Sequence, residues 1–214
     1  CTATPIAADV LLTAEHCLAG ATRVRALFST RYDKACLDDN SCPRVREGVK
    51  IIAHESYGGM NAPENFDLAL IKLSAPIPEG YIITKFYDGA SDVDRNEMII
   101  AGYGLTSRLK ADHGILRATQ KLFRDSVKVI SKTSVIYDQT DKKGICEGDS
   151  GGPTLVHVNN EYQVFSINST FIHPKNGGDG CLGTAKSAYI PFHKNWIYEK
   201  LKLLSVTAEE GISK

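Results

Sequence analysis

At 214 residues, the chain is long enough to bury a sizeable core, and one large all-β unit or two smaller domains would fill it. Its 25 Lys+Arg balance 25 Asp+Glu for a formal net charge of zero, which argues against a nucleic-acid binder, since that affinity rests on clustered positive charge. Apolar residues make up 43% and charged residues 23%, which suits a globule and not a disordered chain, and no apolar run approaches the roughly 18 residues of a membrane span.

In chain order, short apolar β-type runs alternate with turn signals. Val10–Thr13 comes first, then Val49–Ala53, Leu68–Leu73 and Met98–Ala101, followed by Thr154–Val158 and Tyr162–Ile167. Gly58-Gly59, Pro76-Ile77-Pro78, Asn159-Asn160 and Gly177-Gly178-Asp179-Gly180 punctuate them. The stretches 31–46 and 171–183 read as long loops suited to function. Helical spacing appears late, with Ile197, Leu201 and Leu204 following Phe192–Trp196. These elements predict an all-β chain with a C-terminal helix.

The six cysteines are Cys1, Cys17, Cys36, Cys42, Cys146 and Cys181. Spacing alone does not give their connectivity. No pair has the C-x-x-C spacing of a zinc site, so disulfides in an oxidising compartment are the expectation. That makes the protein secreted or periplasmic. No signal peptide is present, so any export sequence has been removed or lies outside the chain.

The segment Cys146-Glu147-Gly148-Asp149-Ser150-Gly151-Gly152-Pro153 carries the chemistry. Gly-Gly-Pro alone marks only a tight turn. A nucleophilic hydroxyl, however, needs a sharp turn with backbone N–H groups aimed at one point, and glycine permits both the turn and the close approach of a carbonyl. Ser150 is the candidate nucleophile, with the Gly148 and Ser150 amides as an oxyanion hole. A serine needs a general base, and Leu11-Leu12-Thr13-Ala14-Glu15-His16-Cys17 offers His16 after an apolar strand. The imidazole in turn needs a buried carboxylate to fix its tautomer. Asp67 stands directly before the apolar run Leu68–Ile71. Each residue alone has a structural explanation, as a core histidine or a turn aspartate. The order His, Asp, Ser is one of the few known routes to this geometry.

These motifs resemble the trypsin/chymotrypsin-like serine peptidases from Cys1 to about residue 202. Thr13–Cys17 resembles the family's Thr-Ala-Ala-His-Cys, Asp67–Leu73 its Asp-Ile-Ala-Leu-Ile-Lys-Leu, and Gly148–Pro153 is identical to its nucleophile motif. His54–Tyr57, Ala101–Gly104 and Trp196-Ile197 add weaker matches. The resemblance implies two packed six-stranded antiparallel β-barrels with the active site in the cleft between them. The first barrel would cover residues 1–80, with the base and the orienting acid. The second, with the nucleophile, the pocket and the C-terminal helix, would cover 81–214. It also implies disulfides Cys1–Cys17 and Cys146–Cys181, leaving Cys36–Cys42 as a local pair. No cofactor and no metal is implied; Asp33, Asp38 and Asp39 lack a calcium-ligand spacing and read as a solvated loop.

Family members carry an N-terminal strand whose free amine pairs with the Asp before the nucleophile, here Asp149. That strand is missing from this sequence, and the expectation is a separately retained N-terminal chain or propeptide, or a truncated chain. Polypeptide is the implied substrate. The family's pocket floor lies six positions before the nucleophile, at Gly144, where glycine cannot pair with Lys or Arg. An uncharged, small or aliphatic residue before the scissile bond (P1) is therefore expected. The pocket wall, Ser-Trp-Gly in the family, has two registers here. Ser166-Ile167-Asn168 would put Asn168 at the gate, and Ser169-Thr170-Phe171 would put Phe171 there. Asn168-Ser169-Thr170 is also an N-glycosylation acceptor, placed by the resemblance on the pocket wall. The alternative function is a non-catalytic or zymogen-like protease-fold binding module.

Overall fold

Alternation of buried and exposed residues along the apolar runs dictates sheets with one face inward. In the computed structural model, which describes residues 1–62, 64–93, 96–172 and 179–209, these runs form two curled antiparallel sheets. The first contains β1 (Thr4–Ala7), β2 (Val10–Thr13), β3 (Arg25–Leu27), β4 (Val45–Ala53) and β5 (Ala69–Leu73), in the order β1-β2-β5-β4-β3. The second contains β6 (Glu97–Gly102), β7 (Arg117–Leu122), β8 (Val127–Ile130), β9 (Ser134–Asp138), β10 (Pro153–Val158), β11 (Glu161–Ile172) and β12 (Thr184–Tyr189), in the order β7-β6-β10-β11-β12-β9-β8.

The described strands divide five and seven between two curled half-barrels, and with the C-terminal helix they are consistent with the expected double-barrel fold. In the second sheet, a single turn of helix separates β7 from β8 and adds a strand to the edge. In the first, β1 and β3 are the two ends of the sheet. Between them opens a cleft of about 780 Å³ lined by Ala3, Pro5, Ala26, Phe28 and Ile71 among others.

The stretch 31–46, expected as a loop, contains α1 (Lys34–Asp38), N-capped by the Asp33 carboxylate, which accepts from the Cys36 N–H at 3.0 Å. Cys36 and Cys42 pair across it, and the other bridges are Cys1–Cys17 and Cys146–Cys181. The carboxylates here are committed to neighbours. Asp33 also pairs with Arg44 at 2.6 Å, Asp38 pairs with Lys34, and Asp39 accepts from Ser41. Of the second expected loop, residues 173–178 lie outside the described residues.

The single-turn helix α2 (Phe123–Ser126) links β7 to β8, and α3 (Ile190–Glu209) closes the chain. Helix α3 begins earlier than the Phe192 expected from spacing, because Pro191 occupies its first turn, where a missing N–H costs nothing. No helix among the described residues is long and apolar enough to cross a membrane.

One core cluster ties both sheets together. Ile6, Val10, Leu12, Leu68 and Leu70 from the first half pack with Val164, Ile167 and Ala188 from the second and with Ile190, Ile197 and Leu204 of α3. Leu68 follows Asp67 directly, and Ile167 lies just before Asn168 and Ser169. Burial of each large side chain contributes about 1.5–3 kcal/mol, so this shared core holds two chemically important segments from different sheets in register. Ile197, 0% exposed, is its helical keystone. Ile197→Ala is expected to destabilise the fold by about 2–5 kcal/mol, read as a lowered denaturation midpoint. A loss under about 1 kcal/mol would show that α3 is not integral to the core.

Candidate active site

Strand β2 is buried at all four positions and ends at Thr13. The chain then enters one 3-10 turn, Glu15–Cys17, which swings His16 toward the loop that precedes β5. Two contacts fix it there. The His16 backbone N–H donates to Asp67 Oδ1 at 2.9 Å, and His16 Nδ1 lies 2.6 Å from Asp67 Oδ2. Because a carboxylate only accepts, Nδ1 carries the proton and Nε2 is left as the lone-pair nitrogen.

Asp67 is 2% exposed. Burial pushes its carboxyl upward, but hydrogen bonds from the His16 ring, the Ser169 hydroxyl at 2.6 Å and the His16 N–H outweigh it and hold the group below the usual carboxylate range. The Asp67 loop is anchored from behind. Asp67 N–H donates to Asn65 Oδ1 at 3.2 Å, Asn65 N–H to Thr133 Oγ1 at 3.0 Å, and His193 Nε2 of α3 to the Asn65 carbonyl at 2.9 Å. Glu15, next to His16, is raised by partial burial and by the Asp67 charge.

Ser150 sits in the turn between Cys146 and β10. Gly148 has φ 102° and Gly151 φ 81°, a left-handed backbone that other residues avoid. A Cβ on Gly151 would lie 2.1 Å from Thr13 Oγ1 and 2.3 Å from the Thr2 carbonyl, so the turn lies directly against the first sheet. Thr2 pins it there: its N–H donates to the Ser150 carbonyl at 2.8 Å and its Oγ1 to the Gly148 carbonyl at 3.0 Å. The amides of Asp149, Gly151 and Gly152 are spent on Cys146, Asn168 and Asp149 carbonyls. Those of Gly148 and Ser150 have no hydrogen-bond partner among the described residues.

The Ser150 hydroxyl donates to the Ser169 carbonyl at 3.2 Å. Ser169 thus touches both Ser150 and Asp67. His16 Nε2 and the Ser150 carbonyl approach the Cys17 sulfur to 3.9 and 3.6 Å. His16, Asp67 and Ser150, distant in sequence, are gathered around Ser169 and the Cys1–Cys17 bridge.

The two wall registers separate clearly. Ser169 is skipped in the β11–β12 pairing, where Asn168 faces Ser187 and Thr170 faces Lys186, and such a bulge re-aims one side chain. Ser166 and Asn168, offered by the other register, point into the interior instead. Ser166 bonds the Tyr137 hydroxyl at 2.6 Å, while Asn168 accepts from Thr154 at 3.1 Å and donates to the Asp149 carbonyl at 3.4 Å. Both are 0% exposed, so Asn168 offers no room for a glycan in the folded protein. Phe171 is partly buried opposite Ala185.

Asp149 is raised by burial against hydrogen bonds from the Cys146 and Gly104 amides, each 2.8 Å. Glycines 102 and 104 leave it space, since a Cβ on either would fall 2.1–2.5 Å from its carboxyl atoms. Sequence reasoning gave no role to Thr2, Asn65, His193 or Gln139; only the tertiary contacts reveal them.

The trypsin family model matches residues 1–197. Chymotrypsin-like elastase family member 1 of Felis catus is 26% identical over 185 residues, 79% of this chain and 67% of that protein. The rat protein of the same name is 24% identical over 219 residues, covering 92% and 78%. A trypsin of Saccharopolyspora erythraea is 25% identical over 195 residues, covering 87% and 78%.

The anchor behind Asp67 gives a pH prediction. Burial, reinforced by nearby His54, depresses His193 to about 4 from an ordinary value of about 6.5. Between those values the unfolded chain binds a proton that the folded chain refuses. Stability is therefore undiminished above about pH 6.5 and falls toward pH 4, by up to about 3 kcal/mol. His193→Gln, which keeps a donor for Asn65, is expected to lose less stability than the native chain between pH 7 and 4.5 in urea titrations. Equal losses would contradict the assignment.

Proposed function

Because the chain belongs to the trypsin family of serine peptidases, we propose that it is a secreted endopeptidase that hydrolyses peptide bonds through Ser150, His16 and Asp67. The observation that supports this reading is the 2.6 Å contact of His16 Nδ1 with a buried Asp67 carboxylate, which leaves Nε2 to serve as the base.

In the reaction, the Ser150 hydroxyl turns from the Ser169 carbonyl to Nε2 and Oγ attacks the scissile carbonyl carbon while Nε2 takes its proton. Asp67 stabilises the imidazolium through Nδ1–H. The carbonyl oxygen becomes an oxyanion held by the Gly148 and Ser150 amides, each donor worth about 3 kcal/mol in comparable sites. Collapse breaks the C–N bond, and the leaving amine takes the proton from Nε2. Water, deprotonated by the same nitrogen, then attacks the acyl ester and frees Ser150. Ser169 is a positioning residue, acting on Asp67 and on the resting Ser150 hydroxyl.

An extended N-terminal segment fits the cleft between β1 and β3, where both strands end the sheet and exposed edges invite pairing. A free amine at its start would meet Asp149, whose carboxylate is buried without a neighbouring side-chain donor at hydrogen-bond distance among the described residues. Three disulfides fit an oxidising compartment. Gly144 carries no charge for a basic P1 side chain, which favours a small or aliphatic one.

Ser150→Ala is expected to abolish turnover of peptide and ester substrates and labelling by a fluorophosphonate, with the fold intact. Asp67→Asn is expected to lower kcat by about 10⁴-fold, as wrong-tautomer substitutions do in such triads. A native protein that stays unlabelled would instead identify the catalytically silent scaffold.

A further inference from the structure

Glycine has no side chain to pack, so whatever fixes Gly148 must act on the peptide units at either side of it. Each unit is planar and trans, with its C=O and N–H pointing in opposite directions, so a group that grips the carbonyl also aims the amide. The Gly148 N–H belongs to the Glu147–Gly148 unit, whose carbonyl accepts from the Leu105 N–H at 2.9 Å. The Gly148–Asp149 unit is held at both ends. Its N–H donates to the Cys146 carbonyl at 3.1 Å, and its carbonyl accepts from Thr2 Oγ1 at 3.0 Å. With both flanking planes gripped, Gly148 is held at φ 102°.

No motif marks Thr2. Its side-chain oxygen accepts the Tyr103 N–H at 3.2 Å, which leaves the hydroxyl proton for the Gly148 carbonyl. Three consecutive amides after β6 thus reach the turn: Tyr103 through Thr2, Gly104 on Asp149 Oδ1 at 2.8 Å, and Leu105 on the Glu147 carbonyl. The fit is close, since a Cβ on Gly148 would lie 2.9 Å from Gly104 Cα. Thr2 alone among these groups comes from the first half of the chain, just before β1. It is 6% exposed, and it is fixed by the Thr13 hydroxyl on its carbonyl at 2.8 Å and by the neighbouring Cys1–Cys17 bridge.

We propose that Thr2 is a positioning residue: its hydroxyl holds the Gly148–Asp149 unit so that the Gly148 N–H stays aimed at the oxyanion. This rests on the hydrolase reading and on Gly148 as an oxyanion donor. Without the hydroxyl, the Gly148 carbonyl and the Tyr103 N–H lose their partner, and a glycine, at ease on either side of φ zero, turns its amide away. The Thr2 backbone N–H, which grips the Ser150 carbonyl, is untouched by a side-chain change, so the turn itself stays docked.

The test compares Thr2→Val, which keeps the branched shape without the hydroxyl, with Thr2→Ser, which keeps the hydroxyl without the methyl. Each full-length protein is assayed on a peptide amide and on the matching peptide aldehyde. Ser150 Oγ adds to the aldehyde carbon while its proton passes to His16, leaving the aldehyde oxygen as an oxyanion at the Gly148 amide. Thr2→Val is expected to lower kcat by about 10- to 100-fold, approaching the loss of a whole donor. KM is expected to change by less than about 2-fold, as for an interaction made only in the transition state. Aldehyde binding is expected to weaken by the same factor as kcat, and Thr2→Ser to restore both. Native kcat in Thr2→Val, a loss confined to KM, or a Thr2→Ser protein as impaired as Thr2→Val overturns the proposal. Should Thr2→Val fail to fold, Thr2→Ala, which adds no atom, replaces it with the same expected losses. Failure of both to fold makes the hydroxyl a requirement of the fold and not of the donor, and overturns the proposal too. Native protein that is not labelled at Ser150 by a fluorophosphonate refutes the hydrolase reading and this inference with it. Labelled native protein whose kcat Thr2→Val matches refutes the inference only.

Discussion

A carboxylate taken out of water must be repaid in hydrogen bonds, and the Asp67 carboxylate organises this molecule around that need. Its two oxygens receive the His16 ring, the His16 amide and the Ser169 hydroxyl. Those donors come from opposite halves of the chain, so the group is satisfied only when the two sheets are docked. Ser169 also accepts from the Ser150 hydroxyl within the second sheet, so the docking that satisfies Asp67 brings the acid and His16 to the Ser150 turn. Satisfying one buried charge and assembling the site are therefore a single structural event.

Packing makes that docking rigid. The shared apolar cluster runs from Ile6 through Leu68 to Val164 and into α3, and its members flank Asp67 and Ser169 in sequence. The polar counterpart is the chain His193–Asn65–Asp67, through which the terminal helix grips the loop that bears the acid. At the other side, Thr2 clamps the Ser150 turn to the first sheet. The glycines of that turn supply the left-handed backbone that leaves two amides unspent.

The motifs around His16, Asp67 and Ser150 were legible because each is local: a polar group just after or just before an apolar run, or in a glycine-rich turn. The bridges followed from resemblance, and the main apolar strands from alternation. Polar strands such as β7 (Arg117–Leu122) and β12 (Thr184–Tyr189) lack such a signal, since only their partners bury them. The wall register stayed open because Ser166 and Ser169 head equally plausible tripeptides. The bulge that takes Ser169 out of the β11–β12 pairing favours the second, and a bulge is a property of paired strands, not of one sequence. Helix α1 was hidden inside a charged loop because it is short and held by Asp33 and a bridge. Gln139 bonds Cys181 from 42 residues away, Asn65 is held by Thr133 68 residues away, and His193 reaches Asn65 across 128 residues, separations at which no sequence pattern survives.

The most direct test of this account is the protonation of His16, read by nitrogen NMR of the imidazole at neutral pH. The account predicts a proton on Nδ1, shifted far downfield by the short bond to Asp67 and lost in the Asp67→Asn protein, with Nε2 bare. A proton found on Nε2 in the native protein would contradict it, because the nitrogen that must accept the serine proton would already be occupied.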